Sequence, residues 1–130
     1  MVWMISLHKG YVESFKSGEK TIEVRTRIPV GLWPDDTIYA VQTGTNGSIV
    51  LEMKVRRVIR MNPDLLYRLY QEKIQLNYLA FSDYFKGREL AFGIEMKEVK
   101  SLDGSISCRD MGVKKAPQWF SAIPCTKKDC

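Results

Sequence analysis

The chain has 130 residues, a formal net charge of +5 and a sequence pI of about 9.2. A chain of this length normally forms one domain and buries roughly two-thirds of its unfolded surface, so it needs no covalent staples. No apolar run approaches the roughly 20 residues of a membrane-spanning helix. The apolar segment 1–7 lacks the basic leader of a signal peptide. We therefore expect a cytoplasmic protein that contacts no membrane.

Cysteine and histidine usage argues against a disulfide framework or a metal centre. The three cysteines, Cys108, Cys125 and Cys130, form no CxxC pair, and His8 is the only histidine. Structural zinc sites need four such ligands at regular spacing. We expect no metal ion and no cofactor, and a reducing compartment.

The first predicted elements are a strand, a helix and a second strand. Val2–Leu7 has the apolar run of a buried strand. Residues 9–16 follow as a short helix with one apolar face, and Gly18 suits the left-handed position that ends it. Residues 20–26 alternate as a strand, which places Glu23 and Arg25 on one face and turns Lys20 toward the other face.

The middle of the chain predicts a hairpin. Thr37–Gln42 and residues 48–60 read as strands joined by a turn in which Asn46 and Gly47 supply positive φ angles. The alternation slips near Arg56 and Arg57, which predicts a bulge.

Helices and strands alternate in the last part of the chain. Asn62 and Pro63 indicate the start of a helix over residues 63–73. A second short helix is predicted over residues 80–86, then a strand over 89–99 and a closing strand over 119–123. The pattern favours an α+β, mostly β fold, with a mixed or antiparallel barrel and short helices at one end. Residues 1–125 form the predicted domain, and residues 126–130 a frayed tail.

One stretch carries a family resemblance. Gly18, Lys20, Glu23 and Arg25 match all four positions of the signature GxKxxExR, so residues 17–25 resemble the ASCH domain signature. Three further segments resemble the family's opening, its last long strand and its close, namely residues 6–11, 84–94 and 112–120. In order along the chain, they extend the resemblance over residues 4–123.

The resemblance implies a PUA-like barrel with a nucleic-acid-related role. Some small ASCH proteins are amidohydrolases that act on N4-acetylcytidine through a lysine, a threonine and a glutamate. Nuclease activity also occurs in the superfamily that this chain resembles. Lys20 matches the hydrolase lysine, Glu23 stands at the threonine position, and Glu72 is the nearest candidate for the glutamate. These three are the candidate catalytic residues if the protein is an enzyme.

The same residues also suit a binding site. A carboxylate at Glu23 can accept from the Watson–Crick edge of a base, while Arg25 contacts a phosphate or stacks on the base. The alternative for this pair is a surface ion pair of small energetic value. A lysine at the rim, Lys20, would act as a base or hold a phosphate, or it would cap nearby carbonyls of the first helix. The candidate binding residues are Lys9, Gly18, Lys20, Glu23, Arg25, Lys115 and Gln118.

Other basic and aromatic residues remain undecided. Arg56, Arg57 and Arg60 form either a phosphate-tracking stripe or a charged bulge. Four aromatic residues offer themselves as pocket walls, namely Trp3, Trp33, Tyr39 and Tyr78.

Three functions therefore stay open. The leading prediction is a module that binds RNA or a modified nucleotide, the second is an amidohydrolase of acylated nucleosides, and the third is a metal-dependent ribonuclease.

Overall fold

The computed structural model describes residues 1–124, so the predicted tail and two of the three cysteines lie outside the described residues. Its strands and helices follow in chain order: β1 (Val2–Leu7), α1 (Lys9–Ser17), β2 (Ile22–Arg25), β3 (Thr37–Gln42), β4 (Ile49–Met61), α2 (Pro63–Ile74), α3 (Tyr78–Tyr84), β5 (Ala91–Ser101), and β6 (Ser121–Ala122). A 3₁₀ turn, Cys108–Met111, precedes β6.

The strands form one six-stranded sheet in the order β2-β5-β4-β3-β1-β6. The β1–β3 pair is parallel and the other pairs are antiparallel. The sheet curls into a half-barrel, so the predicted α+β, mostly β architecture is confirmed. The register of β4 shifts around Val55–Arg57, which confirms the predicted bulge.

Two apolar clusters hold the helices against this sheet. Phe15 and Val12 of α1 join the cluster on the face of the sheet that carries Ile94 and Met96. On the opposite face, Ile22 and Val24 of β2 are buried with Leu66 of α2, together with residues of α3. The short strand β2 therefore has an apolar cluster on each side, which fixes the direction of its side chains. Within residues 1–124, no helix is long and apolar enough to cross a membrane.

Local differences from the predicted boundaries have clear causes. The strand predicted from residue 20 begins at Ile22, because the amide of Lys20 donates to Ser14 of α1 and the amide of Thr21 donates to Lys73 of α2. Helix α3 begins two residues earlier than predicted, because the side chain of Asn77 accepts from the Ala80 amide and caps it.

Candidate functional site

Lys20 lies in the turn that joins α1 to β2. Gly18 ends α1 with φ of 85°, as predicted, and its amide donates to the Phe15 carbonyl. The amides of Lys20 and Thr21 donate to the carbonyls of Ser14 and Lys73, so this turn is tied to both α1 and α2. This tie directs the Lys20 side chain into the molecule, where only 1% of the residue stays exposed.

The buried ammonium of Lys20 has three kinds of neighbour. Its Nζ donates to the Ile74 carbonyl at 2.6 Å, at the end of α2. The rings of Tyr11 and Phe15 have their centres 5.3 and 5.5 Å from Nζ. The carboxylate of Glu23 lies 3.9 Å from Nζ. Lys20 therefore does cap a helix carbonyl, as one of the alternatives predicted, but the helix is α2 and not α1.

The position of Lys20 corrects one prediction from strand alternation. Period-2 spacing turns Lys20 away from Glu23, yet their charged groups lie close together. The alternation does not apply, because Lys20 precedes the first residue of β2 and its backbone bonds to the helices.

Burial lowers the pKa of Lys20 below its ordinary value, because a poorly hydrated site disfavours the charged ammonium. The Glu23 carboxylate opposes this by raising the pKa, and the Arg25 guanidinium lowers it further. Lys20 is therefore more easily deprotonated than a surface lysine, which suits a group that donates a hydrogen bond or takes up a proton.

Glu23 and Arg25 form a buried ion pair, and not the surface pair that the sequence allowed as an alternative. Arg25 Nε donates to Glu23 Oε2 at 2.8 Å, and both side chains are largely buried. The guanidinium carbon of Arg25 lies 5.4 Å from the ring centre of Phe120, next to β6. The closing segment of the domain thus contacts the Arg25 guanidinium.

These three charged residues line an open cavity of about 380 Å³. Its size falls within the range of about 300–1,000 Å³ that small-molecule sites show. The remaining walls come from β1, α1 and the α2–α3 region, and they include Ser6, His8, Tyr11, Leu76, Ala80 and Tyr84. The cavity therefore combines charged groups at β2 with aromatic walls.

The structure separates the predicted site residues into two groups. Lys20, Glu23 and Arg25 meet in the cavity, and Gly18 shapes the turn beside it. The others do not line the cavity: exposed Lys9, Lys115 and Gln118, together with Glu72, which lies on an exposed part of α2 beside a different depression.

The closing segment nevertheless runs close to the cavity. Ser6 Oγ, in the cavity wall, donates to the Pro117 carbonyl at 2.7 Å. Lys115 and Gln118 flank this contact in the chain, so they lie near the cavity without forming its surface. Their role in binding stays a prediction.

Sequence reasoning missed the aromatic walls at Tyr11 and Tyr84. Tyr11 packs with the apolar face of α1, which is also the face that meets Lys20. Tyr84 lies at the end of α3, and no local pattern shows that α3 folds back over β2. Only the tertiary arrangement brings these two residues to the same cavity.

The potential metal ligands are spread apart. Cys108 is buried with Met4 and Val41, and the His8 ring is exposed with Nδ1 3.2 Å from Thr43 Oγ1. Among residues 1–124, no three side chains of histidine, cysteine, aspartate or glutamate form a group that could hold a metal ion.

Solved structures identify the architecture. The ASCH protein of Zymomonas mobilis matches this chain with a TM-score of 0.84 at 21% sequence identity, over 98% of this chain and 90% of that one. Two single-residue variants of that protein match with the same TM-score and identity, each over 95% of this chain and over 88% and 90% of their own. The chain has the ASCH domain fold.

A second match is more distant. The hypothetical protein PH0355 has a TM-score of 0.50 and 20% identity, and the match covers 78% of this chain and 100% of that one. No protein-family model and no curated protein matches the sequence. Within this fold, the signature residues Lys20, Glu23 and Arg25 all line one cavity, so the sequence motif and the candidate site coincide.

Proposed function

We propose that this ASCH domain binds single-stranded RNA or a nucleotide, with one base inserted into the cavity at Lys20, Glu23 and Arg25. The observation that carries the proposal is a lysine that is 1% exposed and yet lines an open cavity next to a buried ion pair. Burying a charged side chain lowers the stability of the folded protein. A role in recognising a polar ligand would explain why this buried lysine is retained.

The chemistry of the cavity fits the edge of a nucleobase. Glu23 presents carboxylate oxygens that accept from an exocyclic amine, while Lys20 and Arg25 donate to ring nitrogens, carbonyl oxygens or phosphate. Tyr11 and Tyr84 offer aromatic surface for stacking on the base. The net charge of +5 favours a polyanionic ligand.

Salt dependence tests this proposal. We expect a fluorescently labelled single-stranded RNA of eight nucleotides to bind, with three phosphate contacts giving an affinity loss of roughly twentyfold between 50 and 200 mM salt. Fluorescence anisotropy measures the affinity. The variant Arg25→Gln should bind at least tenfold more weakly, while Arg68→Gln, on an exposed part of α2, serves as the matched control. An absence of salt-sensitive affinity in the wild-type protein would remove the proposal.

A second candidate function is favoured by the lowered pKa of Lys20. In an amidohydrolase of N4-acylated cytidine, a neutral Lys20 amine would take a proton from water as the water oxygen attacks the acyl carbon. The proton then passes to the departing N4 amine, and the products are cytidine and acetate. Glu23, which lines the cavity, would carry a proton in such a reaction, whereas Glu72 lies outside the cavity.

Turnover tests this second candidate. We expect incubation with N4-acetylcytidine, followed by chromatography, to show release of cytidine that depends on Lys20. Lys20→Met should eliminate the product, and Lys73→Met, an exposed lysine of α2, should not. No cytidine from the wild-type protein, or equal yields from the Lys20→Met variant, would contradict a hydrolase.

A further inference from the structure

A second cavity, larger than the Lys20 cavity, shares no lining residue with it. It has a volume of about 580 Å³ and runs between the segment of residues 28–34 and the adjoining parts of β4 and β5. Its lining side chains are either apolar or basic, and they include Ile28, Trp33, Arg57, Val58, Arg60 and Phe92. We call this cavity the Trp33 groove.

Trp33 gives the groove an exposed aromatic wall held in place by its backbone. The residue is 67% exposed, which is unusual for a large aromatic side chain. Its amide donates to Asp36 Oδ2 at 2.9 Å, and the same carboxylate oxygen accepts from the indole of Trp3 at 3.0 Å. The turn that presents the Trp33 ring is therefore anchored to a buried group.

The lining of the groove also includes an arginine that lies over an aromatic ring. The guanidinium carbon of Arg60 lies 5.6 Å from the ring centre of Phe92. This arrangement holds a positive charge at the edge of apolar surface. Arg57 is already paired, since its Nε donates to Glu95 at 2.9 Å. Arg60 is therefore the lining cation that a phosphate would engage.

One row of side chains joins the two cavities. Arg25 of β2 pairs with Phe92 of β5, and Phe92 pairs with Arg60 of β4. Register partners point to the same face of a sheet, and neighbouring strands lie about 4.8 Å apart. The backbone of Arg25, at the edge of the Lys20 cavity, is thus about 10 Å from the backbone of Arg60 in the Trp33 groove.

The surface next to this row also combines arginine side chains with aromatic rings. The guanidinium carbon of Arg27 lies 4.6 Å from the ring centre of Trp119, and Arg25 contacts Phe120 in the same way. Alternating arginines and aromatic rings provide both of the contacts that single-stranded nucleic acids use, charge along the backbone and stacking on the bases.

We propose that the Trp33 groove is a second nucleotide subsite, which holds a base of single-stranded RNA that continues from the Lys20 cavity across Arg25 and Phe92. The base stacks on Trp33 and contacts the apolar floor, and Arg60 engages the adjoining phosphate. The occupant is an RNA strand because the groove combines stacking surface with basic side chains and is continuous with the first cavity. The inference rests on the proposed function of the Lys20 cavity.

A comparison of the affinities for an oligonucleotide and for mononucleotides tests this inference. We expect Trp33→Ala and Arg60→Ala each to weaken binding of an eight-nucleotide single-stranded RNA about tenfold, since one stacking or phosphate contact is lost. The same variants should bind the four ribonucleoside monophosphates as the wild-type protein does, because a mononucleotide fills only the Lys20 cavity. Arg68→Ala is the control for loss of one positive charge outside both cavities.

Tryptophan fluorescence gives an independent readout. We expect the eight-nucleotide RNA to quench the wild-type emission and the quenching to fall strongly in Trp33→Phe. Phenylalanine still offers a stacking surface, so this variant should keep most of the affinity that Trp33→Ala loses.

The failures of the two proposals can be told apart. If Arg25→Gln weakens RNA binding while Trp33→Ala and Arg60→Ala do not, the groove is not an RNA subsite and the Lys20 cavity remains one; the groove would then suit a protein partner. If the wild-type protein binds neither the RNA nor any mononucleotide, both proposals fail.

Discussion

Replacing Lys20 by methionine is expected to weaken RNA binding by about 30- to 150-fold while changing the free energy of unfolding by less than about 1 kcal/mol. The binding loss corresponds to one charged hydrogen bond, about 2–3 kcal/mol. The small effect on stability has two opposed causes. Methionine removes a buried charge that is costly to keep, but it leaves the Ile74 carbonyl without the donor that Lys20 Nζ provides.

The dependence of stability on pH tests whether the Lys20 ammonium is held in a buried, poorly hydrated site. The pKa of Lys20 is lowered in the folded protein, so the unfolded chain binds more protons at alkaline pH. Between the lowered pKa and the ordinary lysine value, the Lys20 contribution to the free energy of unfolding must therefore rise with pH. Urea titrations across this range should show the rise in the wild-type protein and its loss in Lys20→Met.

Lys73→Met is the matched control for both measurements, since Lys73 is exposed on the same helix that receives the Lys20 hydrogen bond. It should leave binding and stability unchanged. If Lys20→Met loses more than about 3 kcal/mol of stability and still binds RNA like the wild-type protein, Lys20 is a structural residue and the proposed site is wrong.

Glu23→Gln is expected to lower the free energy of unfolding by about 3 kcal/mol, which corresponds to a fall in Tm of about 10 °C. Glutamine keeps the shape of the side chain but removes the charge that pairs with Arg25 at 2.8 Å and lies 3.9 Å from Lys20 Nζ. Two largely buried cations are then left without their carboxylate. Thermal unfolding followed by circular dichroism measures the change.

A double variant tests whether Lys20 and Glu23 are energetically coupled. Lys20→Met removes one of the two cations that Glu23 compensates, so Glu23→Gln should cost clearly less in the Lys20→Met background than in the wild-type protein. Glu13→Gln, on the exposed face of α1, is the control for loss of a carboxylate. Equal Tm values for Glu23→Gln and Glu13→Gln would show that the buried charges are not coupled.

The sequence predicted those parts of the fold that depend on local patterns. The strands Val2–Leu7 and Thr37–Gln42 have the predicted bounds, and the bulge near Arg56 and the positive φ angles at Asn46 and Gly47 are present. Apolar alternation and turn chemistry determine these features over a few residues, so one sequence is enough to find them.

The candidate site was predictable only in part. The signature brought Lys20, Glu23 and Arg25 together because all three lie within six residues of one turn and strand. The Trp33 groove could not be found in this way, since it depends on how residues 28–34 lie against β4 and β5. Glu72 was a candidate because it lies in a helical segment. In the structure it borders a different depression on α2 and not the cavity.

An NMR titration of ¹⁵N-labelled protein with the eight-nucleotide single-stranded RNA tests the central claim most directly. Binding in the cavity predicts the largest amide shifts at Glu23, Arg25 and Leu76, with smaller shifts at the exposed residues 64, 65, 68 and 69 of α2. Saturable shifts confined to those four residues, with none at Glu23 and Arg25, would contradict it.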